Sequence, residues 1–199
     1  MKPDPTIIVA CDDDVYEPSD DTYLLLNSLN IKQRQKVLDI GTGTGIIAIH
    51  AAKNGASCVV GTDISAAAVA CARRNAVLNN LEVAFVICDL FSGIKEQFDT
   101  IVFNPPYLPE GCDGCDDVRW TGGAVGVELT KRFILSAREH LLPGGKIYTI
   151  VSSLATPESH RRNETGFQFL FDDIGYSYRI AGMVSFPFER IYALELAPQ

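Results

Sequence analysis

Short apolar runs of four to six residues alternate along this chain with stretches in which apolar residues recur every three or four positions. The first pattern predicts buried strands and the second predicts helices with one buried face. Lys36 to Ile40 reads as the first strand. Gly41-Thr42-Gly43-Thr44-Gly45 follows it, and an apolar helix then runs to Asn54, stopped by Gly55. Ser57 to Thr62 is a second strand, ending at Asp63, and Ser65 is placed to cap a helix from Ala66 to about Leu78. Glu82 to Cys88 and Phe98 to Phe103 are the third and fourth strands, ending at Asp89 and Asn104. Pro105-Pro106-Tyr107 opens a long loop that lasts through Gly126. Phe133, Ile134, Ala137 and Leu141 then share one helical face. Pro143-Gly144-Gly145 reads as a turn, and Lys146 to Val151 as a fifth strand. A helix is expected over Thr156 to Asp173, interrupted at Gly166, before strands at Tyr176–Ser185 and Arg190–Leu196 close as a hairpin across Phe186-Pro187-Phe188. Ahead of the first strand, Asp20 or Asp21 is expected to cap a short helix over Thr22–Leu29. Strand and helix in alternation predict an α/β fold: a doubly wound, mostly parallel seven-stranded sheet ending in an antiparallel pair, in one domain over residues 1–199.

Composition narrows what such a domain does. The chain has 199 residues, 47% hydrophobic and 21% charged, the profile of an ordinary globular protein. Its apolar runs are too short to span a bilayer, and residues 1–5 do not read as an export signal, so a cytoplasmic location is expected. The net charge of −8 argues against nucleic acid, because a duplex binder neutralises phosphates with a basic stripe. Of six cysteines, Cys58, Cys71 and Cys88 sit in apolar elements and read as small core residues in a reducing compartment. Cys112 and Cys115 have the spacing of half a zinc site with no second half, so no metal is expected; a reversible loop disulfide is the other option.

The strand ends carry the candidate chemistry. In an open parallel sheet, ligands lie at the carboxyl ends of the strands where strand order reverses. Asp39, Asp63 and Asp89 each fall at such an end, and Gly41, Gly43 and Gly45 let backbone approach a ligand closely. A dinucleotide site would want a further glycine where Ile46 stands, and carboxylates repel a pyrophosphate. Acids instead attract the sulfonium and ammonium of S-adenosylmethionine. Asp63 suits a ribose diol, and Asp89 an adenine amino group.

Asn104-Pro105-Pro106-Tyr107 is the sharpest signal. The lone pair of an amide or aromatic amine is delocalised and a poor nucleophile. Two acceptors that hold both N–H bonds orient the group and favour a more pyramidal nitrogen. The Asn104 side-chain oxygen and the Pro105 carbonyl supply them, the prolines withhold competing N–H donors, and Tyr107 packs on the planar group.

With these motifs in view, Val37-Leu38-Asp39-Ile40-Gly41-Thr42-Gly43-Thr44-Gly45 and Asn104-Pro105-Pro106-Tyr107 together resemble the class I methyltransferases, of Rossmann-like fold, that modify amino nitrogens. Val15-Tyr16-Glu17-Pro18-Ser19-Asp20-Asp21-Thr22 resembles the leader of the short HemK-type protein glutamine methyltransferases of archaea and eukaryotes. Trp120-Thr121-Gly122-Gly123-Ala124-Val125-Gly126 resembles the loop after their catalytic run. The resemblance implies methylation of the glutamine in the Gly-Gly-Gln loop of a class I release factor. It places Thr22, Asp39 and Gly41 near the methionine part of S-adenosylmethionine, Asp63 at the ribose, Asp89 and Leu90 at the adenine, and Asn104 at the substrate amide. It also implies a leader over residues 1–35 that covers the cofactor, a substrate loop over 107–126, and a small zinc-binding activator subunit that covers apolar surface. Bacterial relatives carry an N-terminal helical substrate domain, whereas some 35 residues precede the first strand here. Recognition is therefore expected from the core, the acidic 107–126 loop or a partner. Three rivals remain at this stage: methylation of adenine or cytosine in nucleic acid, methylation of a protein lysine, and a non-catalytic cofactor-binding scaffold.

Overall fold

A computed structural model describes residues 4–107, 128–155 and 174–199. Seven strands build one sheet: β1 (Lys36–Ile40), β2 (Cys58–Asp63), β3 (Ala84–Ile87), β4 (Phe98–Phe103), β5 (Leu141–Ser152), β6 (Tyr176–Ser185) and β7 (Arg190–Pro198). Their order is β3-β2-β1-β4-β5-β7-β6. The first five are parallel, while β7 inserts antiparallel between β5 and β6. This is the mostly parallel sheet with an antiparallel end that the apolar pattern predicts. Glu195 of β7 fixes that end: it is buried and bonded by Lys146 of β5 (2.5 Å), Arg179 of β6 (2.5 Å) and the Tyr148 hydroxyl (2.7 Å).

Period-two alternation divides the core between the two faces. Val37 of β1 joins one apolar cluster with Tyr148 and Ile150 of β5, while Leu38 and Ile40 join the other with Ile147 and Val151. Helices α1 (Asp20–Ser28), α2 (Ile46–Lys53) and α3 (Ala66–Leu78) pack their apolar faces on the first cluster through Leu25, Ile49 and Val69. Helix α4 (Glu128–Ala137) covers the second through Phe133 and Ile134. Both faces are thus clad, as a parallel sheet requires.

Two expectations about boundaries need correction. The first helix begins at Asp20, two residues early, with extended Ser19 at the N-cap. Asp21 does not cap it; its side chain turns inward and only 4% of the residue is exposed. The second concerns Leu141, which belongs to β5 and not to the helix. A 3-10 turn over Arg138–His140 ends the helical stretch and Leu141 pairs with Phe98, so Pro143-Gly144-Gly145 is a bulge inside the strand. Leu141 stays in the same apolar cluster as Phe133 either way, which is why periodicity alone placed it on the helix. The predicted helix over 156–173 lies outside the described residues, as do Cys112, Cys115, Trp120 and the rest of the substrate loop beyond Tyr107. No helix among the described residues is long and apolar enough to cross a membrane.

Candidate active site

The sheet order reverses between β1 and β4, which pair in register with Ile40 opposite Phe103. Gly41 and Asn104 therefore leave adjacent strands side by side at the carboxyl edge, where a crevice is expected. A cavity of about 440 Å³ opens there, a volume typical of small-molecule sites. The glycine turn forms one wall. Gly41 and Gly43 adopt φ of +62° and +54°, conformations that cost a side-chain-bearing residue about 1–2 kcal/mol. At Gly41 a Cβ would also meet the Phe103 ring at 3.1 Å, whereas at Gly43 it would meet nothing within 4 Å.

The three strand-end acids have different jobs. Asp63 lies on the wall and holds the turn in place: Oδ2 accepts from the Gly43 N–H (3.0 Å) and Oδ1 from the Ser65 N–H (2.9 Å). Ser65 in turn accepts from Ala68 N–H as the expected cap of α3. Asp89 is also on the wall, paired with Arg132 of α4 at 2.8 Å in a solvent-exposed ion pair. Next to it Leu90, with φ +48°, completes that side. Asp39 stands behind the turn instead of on the wall. Its Oδ2 accepts from the Thr42 hydroxyl (2.6 Å) and the Ala48 N–H (3.2 Å), and its buried Oδ1 has no hydrogen-bond partner among the described residues. Complete burial pushes its carboxyl up to about 7, against the pull of those two donors. Gly45 likewise supports the turn from behind, at the N-cap of α2 with φ +82°.

The Asn-Pro-Pro-Tyr run lines the same cavity, with Asn104, Pro105, Pro106 and Tyr107 all on its wall. Asn104 turns its Nδ2 to Asp21 Oδ2 (3.0 Å) and Thr22 Oγ1 (3.4 Å), leaving the buried Oδ1 with no partner among the described residues. The Tyr107 hydroxyl donates to the same Asp21 oxygen at 3.4 Å. Tyr16 donates to Asp21 Oδ1 at 2.8 Å. Burial, then the charge of Asp21, raises both phenols far above their ordinary value, so they remain protonated donors.

The candidate residues Thr22, Gly41, Gly43, Asp63, Asp89, Leu90, Asn104, Pro105 and Tyr107 thus surround one cavity, with Asp39 and Gly45 bracing it. The residues that pattern reading did not place here are Asp21, Tyr16 and Arg132. By sequence Asp21 reads, with Asp20, as a candidate helix cap, because Asp at a helix start ordinarily is one. Its neighbours in the leader motif were the available signal.

The described residues contain no group of three or more His, Cys, Asp or Glu side chains arranged to hold a metal. Residues 17–164 match the family described as Methyltransferase small domain. A Methanocaldococcus jannaschii protein named for protein N5-glutamine methyltransferase activity is 38% identical, over 91% of this chain and 90% of its own. Methyltransferase HEMK2 of Mus musculus is 35% identical, over 73% of this chain and 75% of its own. The solved E. cuniculi Mtq2-Trm112 complex, described as responsible for methylation of the eRF1 translation termination factor, is 28% identical with a TM-score of 0.71; the match covers 94% of this chain and 99% of that one. With a glycine turn and an Asn-Pro-Pro-Tyr run lining one cavity, and with relatives of this closeness, the chain belongs to the methyltransferase small domain family, in its HemK-type branch.

Proposed function

We propose that this protein transfers the methyl group of S-adenosylmethionine to the side-chain amide nitrogen of the glutamine in the Gly-Gly-Gln loop of a class I release factor. The observation that carries this reading is Asn104, a residue of the cavity wall whose buried side-chain oxygen has no hydrogen-bond partner among the described residues. Leaving such an atom unsatisfied costs on the order of 1–3 kcal/mol, a cost that a substrate N–H removes.

The cavity suits the cofactor. Among the described residues Asp14, Asp21, Asp63 and Asp89 line it against one cationic side chain, Arg132, which Asp89 already pairs, so the walls favour a cation. The space in front of Gly43 admits a ligand against bare backbone. Gly41 and Thr22 would flank the methionine part, Asp63 the ribose, and Asp89 with Leu90 the adenine, with Gly43 at the turn's crest and Asp39 and Gly45 holding the turn's shape. Bound there, S-adenosylmethionine supplies an electrophilic methyl group on a sulfonium. The chain's own contribution is to position the acceptor. Asn104 Oδ1 and the Pro105 carbonyl accept the two N–H bonds, and neither proline offers a competing donor. Tyr107 packs beside the planar amide, its hydroxyl held protonated by burial. Positioning and electrostatics therefore carry the rate.

Relatives named for release factor methylation support the substrate assignment, and a translation factor as substrate puts the reaction in the cytoplasm. A small zinc-binding activator subunit is the second partner of this reading. Strand β3 forms a sheet edge on which Val86 and Ile87 are exposed, with Ile64 exposed nearby in the chain that follows β2, and such surface gains from a cover. The test is mass spectrometry of a recombinant release factor after incubation with this protein and labelled cofactor, with and without the activator. A methyl group on the Gly-Gly-Gln glutamine is expected. Label on a lysine, or on no residue in either mixture, overturns the proposal.

A further inference from the structure

Asp21 is the most heavily engaged side chain at the site, and beyond its charge on the cavity wall it has no role in the reaction as derived above. It is almost fully buried, and its two oxygens serve different sets of donors. Oδ1 accepts from the Thr22 backbone N–H (2.6 Å), the Tyr16 hydroxyl (2.8 Å) and the Thr22 hydroxyl (3.2 Å). Oδ2 accepts from Asn104 Nδ2 (3.0 Å) and the Tyr107 hydroxyl (3.4 Å).

An amide side chain has two orientations that fill the same volume, and its neighbours choose between them. For Asn104 one orientation aims an acceptor at the substrate and the other aims an NH₂ group. An ionised carboxylate only accepts hydrogen bonds, so a buried carboxylate 3.0 Å from the Asn104 amide tolerates only its NH₂ end. We infer that Asp21 is the positioning residue that locks the Asn104 amide with Nδ2 turned away and Oδ1 free for the methyl acceptor. The lock rests on the proposed function, since it matters only if Oδ1 receives a substrate N–H. It also ties the leader to the catalytic run, because Asp21 belongs to the first turn of α1 and Asn104 follows β4.

The chemistry makes an unusual demand on the isosteric variant Asp21→Asn. The Thr22 backbone N–H cannot rotate away, so the oxygen of the new amide must stay at the Oδ1 position. Its NH₂ then occupies the Oδ2 position and faces Asn104 donor to donor. Asn104 relieves this by flipping, which sends its own NH₂ to the substrate side. Adding Asn104→Asp reverses the outcome: the amide at 21 donates to the carboxylate at 104, whose other oxygen again serves as the acceptor. Asn104→Asp alone sets two carboxylates against each other in a buried site.

The experiment measures methyl transfer to a recombinant release factor by wild type, Asp21→Asn, Asn104→Asp, the double variant and Asn104→Ala. Cofactor affinity by calorimetry and thermal melting are recorded for each. Side-chain amide exchange of Asn104, read by ¹⁵N NMR, supplies a measure that needs no substrate. Asp21→Asn is expected to lower kcat by about 100-fold, the scale of losing one transition-state hydrogen-bond partner, with KM for the release factor and melting temperature near wild type and cofactor affinity weakened only by the loss of one wall charge. The double variant is expected to regain about 10-fold over Asn104→Asp, as coupled neighbours do. The Asn104 NH₂ protons, shielded against Asp21 in wild type, should exchange faster in Asp21→Asn. Near-normal kcat in Asp21→Asn, a double variant no better than Asn104→Asp, or unchanged exchange overturns the inference. Should Asp21→Asn fail to fold, Asn104→Asp against the double variant decides. Full activity in Asn104→Ala would sink the catalytic reading itself, while the exchange data would still report whether the lock exists.

Discussion

Asp39 makes the protein's stability depend on pH in the sense opposite to that of an ordinary salt-bridged carboxylate. Its carboxyl is fully buried, its Oδ1 has no partner, and burial lifts it from 3.8 to about 7. A shift of that size favours the neutral over the charged form by roughly 4 kcal/mol, an upper limit because the surroundings relax around a buried charge. Below about pH 3 the group is protonated in both folded and unfolded chains and contributes nothing. Between about 4 and 7 the unfolded chain releases the proton while the folded one keeps it, so stability falls as pH rises. Above about 7 the folded group ionises too and the loss levels off. Asp39→Asn replaces the group with one that never ionises, and its oxygen still accepts from the Thr42 hydroxyl and Ala48 N–H. The assay is urea unfolding of wild type and Asp39→Asn from pH 4.5 to 8.5. The difference between the two curves cancels carboxylates common to both. Wild type should lose up to about 3 kcal/mol relative to the variant across that range. A difference that stays flat within about 1 kcal/mol, or one that grows in wild type's favour with pH, would refute the reasoning.

Other outcomes follow from the same geometry. Asn104→Ala removes the free acceptor without touching the glycine turn, so transfer should fall by about 100-fold or more while calorimetric cofactor affinity holds; lost cofactor binding would show the role is misassigned. Asp63→Ala should weaken cofactor binding by roughly 1–3 kcal/mol, because the Gly43 and Ser65 N–H groups lose their acceptor along with any bonds to the ligand, and an unchanged affinity would remove Asp63 from the ribose. Gly45→Ala forces φ of +82° on a side-chain-bearing residue and brings its Cβ to 2.9 Å of the Ala72 Cβ. A loss of about 2–4 kcal/mol is expected, lowering Tm by roughly 5–15 °C, and a shift under about 2 °C would argue against both the strain and the contact.

Local signals settled much of this molecule. Apolar runs located all seven strands: β1, β4 and β7 are buried on both faces and had to be apolar throughout, whereas the edge strands β3 and β6 leave most positions partly or fully exposed. Glycines 41, 43 and 45 announced the turn, and Asn104-Pro105-Pro106-Tyr107 announced the acceptor, because backbone of that kind is chemically distinctive without its surroundings. Tertiary structure decided what those residues face. Asp39, Asp63 and Asp89 look alike at three strand ends, yet one is sealed behind the turn, one holds it, and one pairs with Arg132 from a helix 43 residues away. Asp21 reads as a helix cap until the fold brings a residue 83 positions distant to 3.0 Å from it. A sequence states which groups a strand or turn presents locally. The partner of a buried polar group comes from chain folded in from far away, and that partner sets the charge and the hydrogen-bond orientation on which the chemistry depends.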